Sequence, residues 1–347
     1  MRGELAEYLV PEMILDHDQN IGILGPIKKA SQRTGEKAMA TLQTLSCASV
    51  RIAREQKLSA ALDFWVKSIR GPVELGRWIT FIAEHHLALG APSPNTRVLR
   101  KPQRNYGRTG RTVRQRVDAL VAHYKYSAAQ LPSAIHGGLL EGTQIRLARI
   151  AARNTHFDLW LGSSLAPGQK QEGELTVSFT DSDDVVLTRM AFSFGVDDDG
   201  IPTALIGGVQ GLDAGIDKRV IVKATRTLSG LRPKDATLVA LQAVATAAGI
   251  LRLRAVSNAT HVLVAEWYSR DSVILRDYDA FWIERGGTAV ADGGYILPLR
   301  DYGARLKEIQ TPRTVDRHRS ALSDQVQLRL ASGDVRVPAG NSALPTP

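Results

Sequence analysis

Residues 173–211 read "GELTVSFTDSDDVVLTRMAFSFGVDDDGIPTALIGGVQG", and this stretch decides the fold. Leu175, Val177 and Phe179 alternate with Thr176, Ser178 and Thr180, the period-two pattern of a half-buried strand. "TDSDD" and "VDDDGIP" carry turn chemistry, and Met190, Phe192 and Phe194 share one face of the run between them. "TALIGGVQG" then closes a three-strand antiparallel meander, and "FDLWLG" (157–162) reads as a further strand before it.

Upstream the texture is helical to about residue 150. "TGEKAMATLQTLSCASVRIAREQKLSAALDFWVKSI" has helix-favouring residues and no proline. In "ELGRWITFIAEHHLAL", Trp78, Ile79, Ile82, Ala83 and Leu87 fall at helical spacing, and "APSPN" breaks the chain after it. "TVRQRVDALVAHYKY" and "EGTQIRLARIAAR" resume the helical pattern. Downstream, "IDKRVIVKATRTLSG" reads as helical, and "LRPKDATLVALQAVATAAGI" as a helix with Pro233 at its start and Gly249 as its cap. "LRLRAVSN" is a strand, "DYDAFWIERGG" a glycine-stopped helix, "YILPL" a last strand, and 311–331 a basic terminal helix.

The fold class is therefore α+β: a helical N-terminal region packed on a mixed, largely antiparallel sheet with helices. The expected divisions are an N-terminal helical extension (1–60), a helical part (61–150), a sheet part carrying the site (151–330) and a disordered tail (331–347).

At 44% hydrophobic and 23% charged, the 347-residue chain has the composition of a globular protein. No apolar run approaches the ~20 residues that span a bilayer. The N-terminus lacks a basic stretch followed by an apolar core, and Cys47 is the single cysteine, so the cytoplasm is the expected compartment. A net charge of +9 points to an anionic or phosphate-containing ligand. Eight Lys/Arg and no acid lie between Arg97 and Arg116, which is either a solvated basic face or an RNA contact. No zinc-type His/Cys spacing, P-loop or G-x-S-x-G elbow is present, and no metal is expected.

"IGGVQG", "KATRTLSGLRPKDATLVALQAVA", "AVSNATHV", "YDAFWIERGG" and "YILP" occur in that order, with "RVDALVAHYKY" and "GELTVSF" upstream. On these motifs the chain resembles the VirK/YbjX family of bacteria from roughly Leu62 to Leu330. The resemblance implies a virulence-associated protein, linked to envelope integrity and to the response against antimicrobial peptides, with no biochemical activity attached. The order of elements also resembles the GNAT acyltransferase fold, which implies acyl-CoA, or an aminoacyl-tRNA, as a donor.

Two readings of the chemistry stand side by side. In the first, the chain is an acyl- or aminoacyl-transferase-like enzyme. Amides of Gly207, Gly208 and Gly211, with Gln210, cradle a phosphate. Arg232 and Lys234 add cations beside a helix start, where they are unfavourable by ~0.3–1 kcal/mol each unless an anion sits nearby, and Lys223 on the preceding helix adds to the same patch. Ser257 and Asn258 reach the ligand, His261 transfers protons past the end of a strand, and Asp279 either orients it or holds an arginine. In the second, the glycines form a tight corner, the cations are solvated and His261 is structural, as befits a non-enzymatic binding or regulatory protein. The first reading places "IGGVQG" and "GLRPKD" in one cleft with His261 at its rim.

Overall fold

A computed structural model describes residues 24–85, 96–152, 155–164, 169–213, 215–264 and 277–335; the expected extension before residue 24 and the tail after 335 lie outside them. The N-terminal part is helical: α1 (Leu24–Glu55), α2 (Leu58–Ser68), α3 (Pro72–Glu84), a single turn α4 (Thr96–Leu99), α5 (Val113–Gln130) and α6 (Ser133–Leu140). α1, α2, α3 and α5 enclose a core of their own around Ile52, Phe64, Trp78, Ile82 and Leu120, all with no exposed surface. A reciprocal capping box fixes the start of α5: Gln115 N–H donates to Thr112 Oγ1, and Gln115 Oε1 accepts from Thr112 N–H.

Eight strands follow: β1 (Ile145–Ala152), β2 (Thr155–Ser163), β3 (Leu175–Asp181), β4 (Val186–Val196), β5 (Pro202–Gln210), β6 (Arg252–Val256), β7 (Thr288–Ala289) and β8 (Gly294–Leu297). They form one sheet in the order β1-β2-β3-β4-β5-β6-β8-β7. Among these strands only β5 and β6 are parallel, from Thr203↔Arg252 to Ile206↔Ala255. α7 (Arg219–Thr227) and α8 (Pro233–Ala247) make that crossover. The class is α+β, as the alternation and helical spacing foretold.

The same device makes both meander turns. Asp181 Oδ1 accepts the N–H of Asp183 and Val185, and Asp197 Oδ1 accepts the N–H of Asp199 and Ile201. α8 is buried along almost its whole length. It ends where Gly249, at φ +69°, lets Ile250 N–H bond back to the Ala245 carbonyl at 2.9 Å. α9 (Tyr278–Glu284), α10 (Tyr302–Glu308) and α11 (Thr314–Ser332) complete the chain, with α11 packed on α8 and β1. Among the described residues no helix is long and apolar enough to cross a membrane.

One element differs from expectation. "EGTQIRLARIAAR" holds β1 rather than a helix. A register irregularity between Arg146 and Ala148 interrupts its alternation and leaves Leu147, Ala148 and Ile150 all buried. That spacing imitates a helical face, while pairing with β2 makes the segment a strand.

Candidate functional site

Gly207 and Gly208 of "IGGVQG" lie within β5, not in a turn, and Gly211 follows its last residue, Gln210. Ala191 pairs with Gly208 and Phe192 with Ile206, so Gly207 is the extra residue of a β-bulge. The parallel pairing with β6 stops at Ile206, so β5 and β6 separate where the glycines begin. The β2–β3 connection crosses at this point. A Cβ on Gly207 would overlap the Glu172 backbone carbonyl, and one on Gly208 would overlap the Glu172 carboxylate. Both glycines are buried, so close approach of a second chain segment explains them, and their faces are unavailable to a phosphate. Gly211 meets nothing within 4 Å, and the carbonyl of Gln210 accepts Thr188 Oγ1 at 2.9 Å.

His261 sits in the same place, buried rather than at a rim. Its Nε2 is 3.1 Å from Glu172 Oε1, and the side chains are 0% and 1% exposed. Its Nδ1 accepts Leu263 N–H at 3.2 Å, which assigns the proton to Nε2 and makes Nε2 the donor to Glu172. The ring stacks on Tyr278, 5.0 Å between centroids. The Tyr278 hydroxyl bonds both the N–H and the carbonyl of Val209 at 3.1 Å, serving β5 backbone that β6 no longer reaches. The gap between the parting strands is therefore filled by Glu172, His261 and Tyr278.

The remaining expected residues are distributed elsewhere. Asp279 accepts Asn258 N–H at 3.1 Å and does not orient His261. The Asn258 amide bonds Asp277, and Ser257 Oγ donates to the Gly293 carbonyl, so both close the turn after β6. Arg232 pairs with Glu284 at 3.1 Å, Lys234 lies 5.3 Å from the Phe281 ring centre, and Lys223 is exposed. "GLRPKD" thus docks α8 against α9 and does not share a cleft with "IGGVQG".

A cleft of about 570 Å³ opens instead along the strands around β5 and β6. Ser193, Leu205 and Arg254 stand in one cross-strand row and form part of its floor. The segment from Tyr106 to Arg111 and the first turns of α5 form a wall. The segment is tied down by Gly107 N–H to the Gln171 carbonyl, 2.8 Å, and Thr109 N–H to the Thr260 carbonyl, 2.9 Å. At one end are three guanidinium groups. Arg108 and Arg254 both pair with Asp292 Oδ2, and Arg108 also bonds the Asp292 carbonyl. Arg111 hydrogen-bonds the Tyr106 carbonyl at a long 3.4 Å. Burial, together with the Arg108 and Arg254 charges, pushes Arg111 below the ordinary arginine value. Asp292, although burial opposes it, is held below the usual carboxylate range by Arg108 and Arg254. Asp118, Asp197 and Asp198 also line the cleft.

Behind the cleft floor lies a buried polar chain. The Tyr106 hydroxyl shares a hydrogen bond with Ser193 Oγ at 2.8 Å, and Ser193 Oγ accepts Glu174 N–H at 3.1 Å. Glu174 pairs with Lys101 and accepts the Tyr124 hydroxyl at 2.6 Å. Burial pushes both phenols well above their ordinary value, so they act here as proton-bearing donors. Lys101 and Glu174 are 4% and 3% exposed, joining the helical part to the sheet through a desolvated ion pair.

The basic run is consequently divided. Arg100 pairs with Asp63, Lys101 is buried on Glu174, Arg108 and Arg111 turn into the cleft, and Arg114 reaches Glu74. These residues do not form one continuous solvated stripe. Arg108 and Arg111 were conspicuous in the sequence only as members of a charge run. Glu172 and Arg254 carried no motif, since their roles depend on which segments the fold brings together.

An α+β fold with a polar cleft, lined by three arginines and four aspartates, over a single parallel strand pair is the class that these features define. The chain belongs to a family described as "Protein of unknown function (DUF535)", whose model matches residues 53–332; this is the VirK/YbjX family. It is 27% identical over 250 residues to the "Uncharacterized protein YbjX" of Escherichia coli (strain K12), covering 70% of this chain and 75% of that protein.

Proposed function

We propose that the protein binds a phosphate-containing acyl donor, of the acyl-CoA or aminoacyl-tRNA type, in this cleft and transfers its acyl group. The observation that carries the reading is the cleft's position beside the parallel β5–β6 pair, with two helices between those strands and antiparallel strands on either side. The cleft lies over the paired stretch of these strands, Thr203 to Leu205 against Arg252 to Arg254, and the order of elements resembles that of the GNAT fold, which binds acyl-CoA, with one helix more in the crossover. An envelope-integrity role follows from the family resemblance and belongs to the same proposal.

A second reading, a non-enzymatic binding or regulatory protein, is favoured by one observation. His261 and His123 are 0% and 2% exposed and neither lines the cleft, so among the described residues no imidazole there is positioned for proton transfer. A panel of CoA thioesters separates the readings when thermal stability and thiol release are measured together. A ligand at one hundred times its dissociation constant adds ~2.7 kcal/mol of stability. Stabilisation with acceptor-dependent thiol release supports the transferase, and stabilisation alone supports the binder. No stabilisation by any thioester contradicts acyl-CoA as the donor.

A further inference from the structure

Three guanidinium groups cluster in the cleft around one carboxylate, while Asp118 and Asp197, which also line it, pair with Arg77 and Arg252 outside the cluster. The three are Arg108, Arg111 and Arg254, and Asp292 is the carboxylate that pairs with two of them. Among the described residues no carboxylate hydrogen-bonds Arg111. Crowded like charges in a partly desolvated cleft are unfavourable, and a polyanion relieves them. Guanidinium forks match phosphate oxygens bidentately, and several converging forks favour phosphate over a single carboxylate. Asp292 already occupies the anion position between Arg108 and Arg254. It lies in the turn between β7 and β8, with its side chain 38% exposed, so it has room to move aside.

We infer that Arg108, Arg111 and Arg254 form a phosphate subsite that takes the diphosphate of a ligand, with the Asp292 carboxylate holding the position until the ligand displaces it. The inference rests on the cleft reading above and assigns the donor's anionic end to these side chains, not to the glycines of β5.

Calorimetric titration with inorganic pyrophosphate and, separately, with acetyl-CoA tests it. The proteins are wild type, Arg111→Gln, Arg254→Gln, Asp292→Asn and the exposed control Arg219→Gln, each checked for folding by thermal melting. Pyrophosphate is expected to bind wild type and Arg219→Gln alike. Each cleft arginine variant weakens it ~10-fold or more, as loss of a charged hydrogen bond predicts, and Asp292→Asn tightens it by removing the competing carboxylate. The gain in Asp292→Asn cannot arise from unfolding, so it keeps the test decisive where an arginine variant is unstable. Absence of pyrophosphate binding, or equal binding by wild type and both arginine variants, overturns the subsite. Acetyl-CoA binding no tighter than pyrophosphate, with the variants behaving as expected, removes the acyl-donor reading and leaves the subsite standing. Acetyl-CoA binding equally to wild type and both arginine variants does the reverse.

Discussion

His261 donates its Nε2 proton to Glu172 from 3.1 Å, and the two residues, 89 positions apart, meet beneath the bulge of β5 with almost no exposed surface. The pair holds the β2–β3 connection against the turn after β6, and thereby fixes the end of the cleft where Thr109 and Thr260 meet. Removing the acceptor takes away a buried hydrogen bond to a carboxylate, at a cost of ~1–3 kcal/mol. Glu172→Ala is expected to lose at least that much in chemical denaturation. Glu172→Gln, which keeps an acceptor oxygen, loses less. Equal losses in the two variants would show that the contact with His261 is not the stabilising element.

The two glycines above Glu172 are expected to respond differently to alanine. Gly208→Ala conflicts with the Glu172 side chain, whereas Gly207→Ala conflicts with its backbone. Overpacking of this kind costs ~1–3 kcal/mol. Glu172→Ala should therefore rescue much of the loss in Gly208→Ala and little of that in Gly207→Ala. A double-mutant cycle in urea measures the coupling directly, and equal rescue at both positions would contradict the assignment.

The meander, the crossover helices and the cap at Gly249 were legible because each rests on local chemistry: alternation, aspartate turns, a proline start. β1 was not, since its bulge gave a strand the burial pattern of a helix. The candidate site was partly legible. His261 and the glycines do meet at one point, but the residue that joins them is Glu172, whose position depends on a long connection folding back over β5. Sequence also showed Arg108 and Arg111 without showing that Arg254, on β6, and Asp292, before β8, would face them.

His123 supplies a pH prediction. Its Nδ1 accepts Phe194 N–H at 3.1 Å, and burial lowers its pKa to about 4, against an ordinary value of 6.5. Between those values the unfolded chain binds a proton that the folded chain refuses. This contribution is therefore fully present above about pH 6.5 and is lost as pH falls towards about 4. A shift of this size corresponds to ~3 kcal/mol at most. Denaturation midpoints measured from pH 7 to pH 4 should fall less steeply for His123→Gln than for wild type; parallel profiles would contradict a neutral, buried His123.

The Lys101–Glu174 pair is expected to matter more than its surface counterparts. Removing one partner of a buried ion pair strands the other and costs ~3–5 kcal/mol. Lys101→Met should approach that loss, whereas Arg219→Gln, at an exposed pair with Asp217, should change stability by under ~1 kcal/mol. Thermal melting of both variants checks the contrast, and similar small effects would show that Lys101 is dispensable to the join between helices and sheet.

On the function proposed above, the cleft over β5 and β6 holds a phosphate-bearing ligand. A crystal structure of the protein with a non-hydrolysable acyl-CoA analogue at saturating concentration tests it most directly. The account predicts diphosphate density between Arg108, Arg111 and Arg254, with the Asp292 side chain turned away and the acyl arm running along Ser193 and Leu205. An analogue bound outside this cleft, or a cleft left empty at saturation, would contradict it.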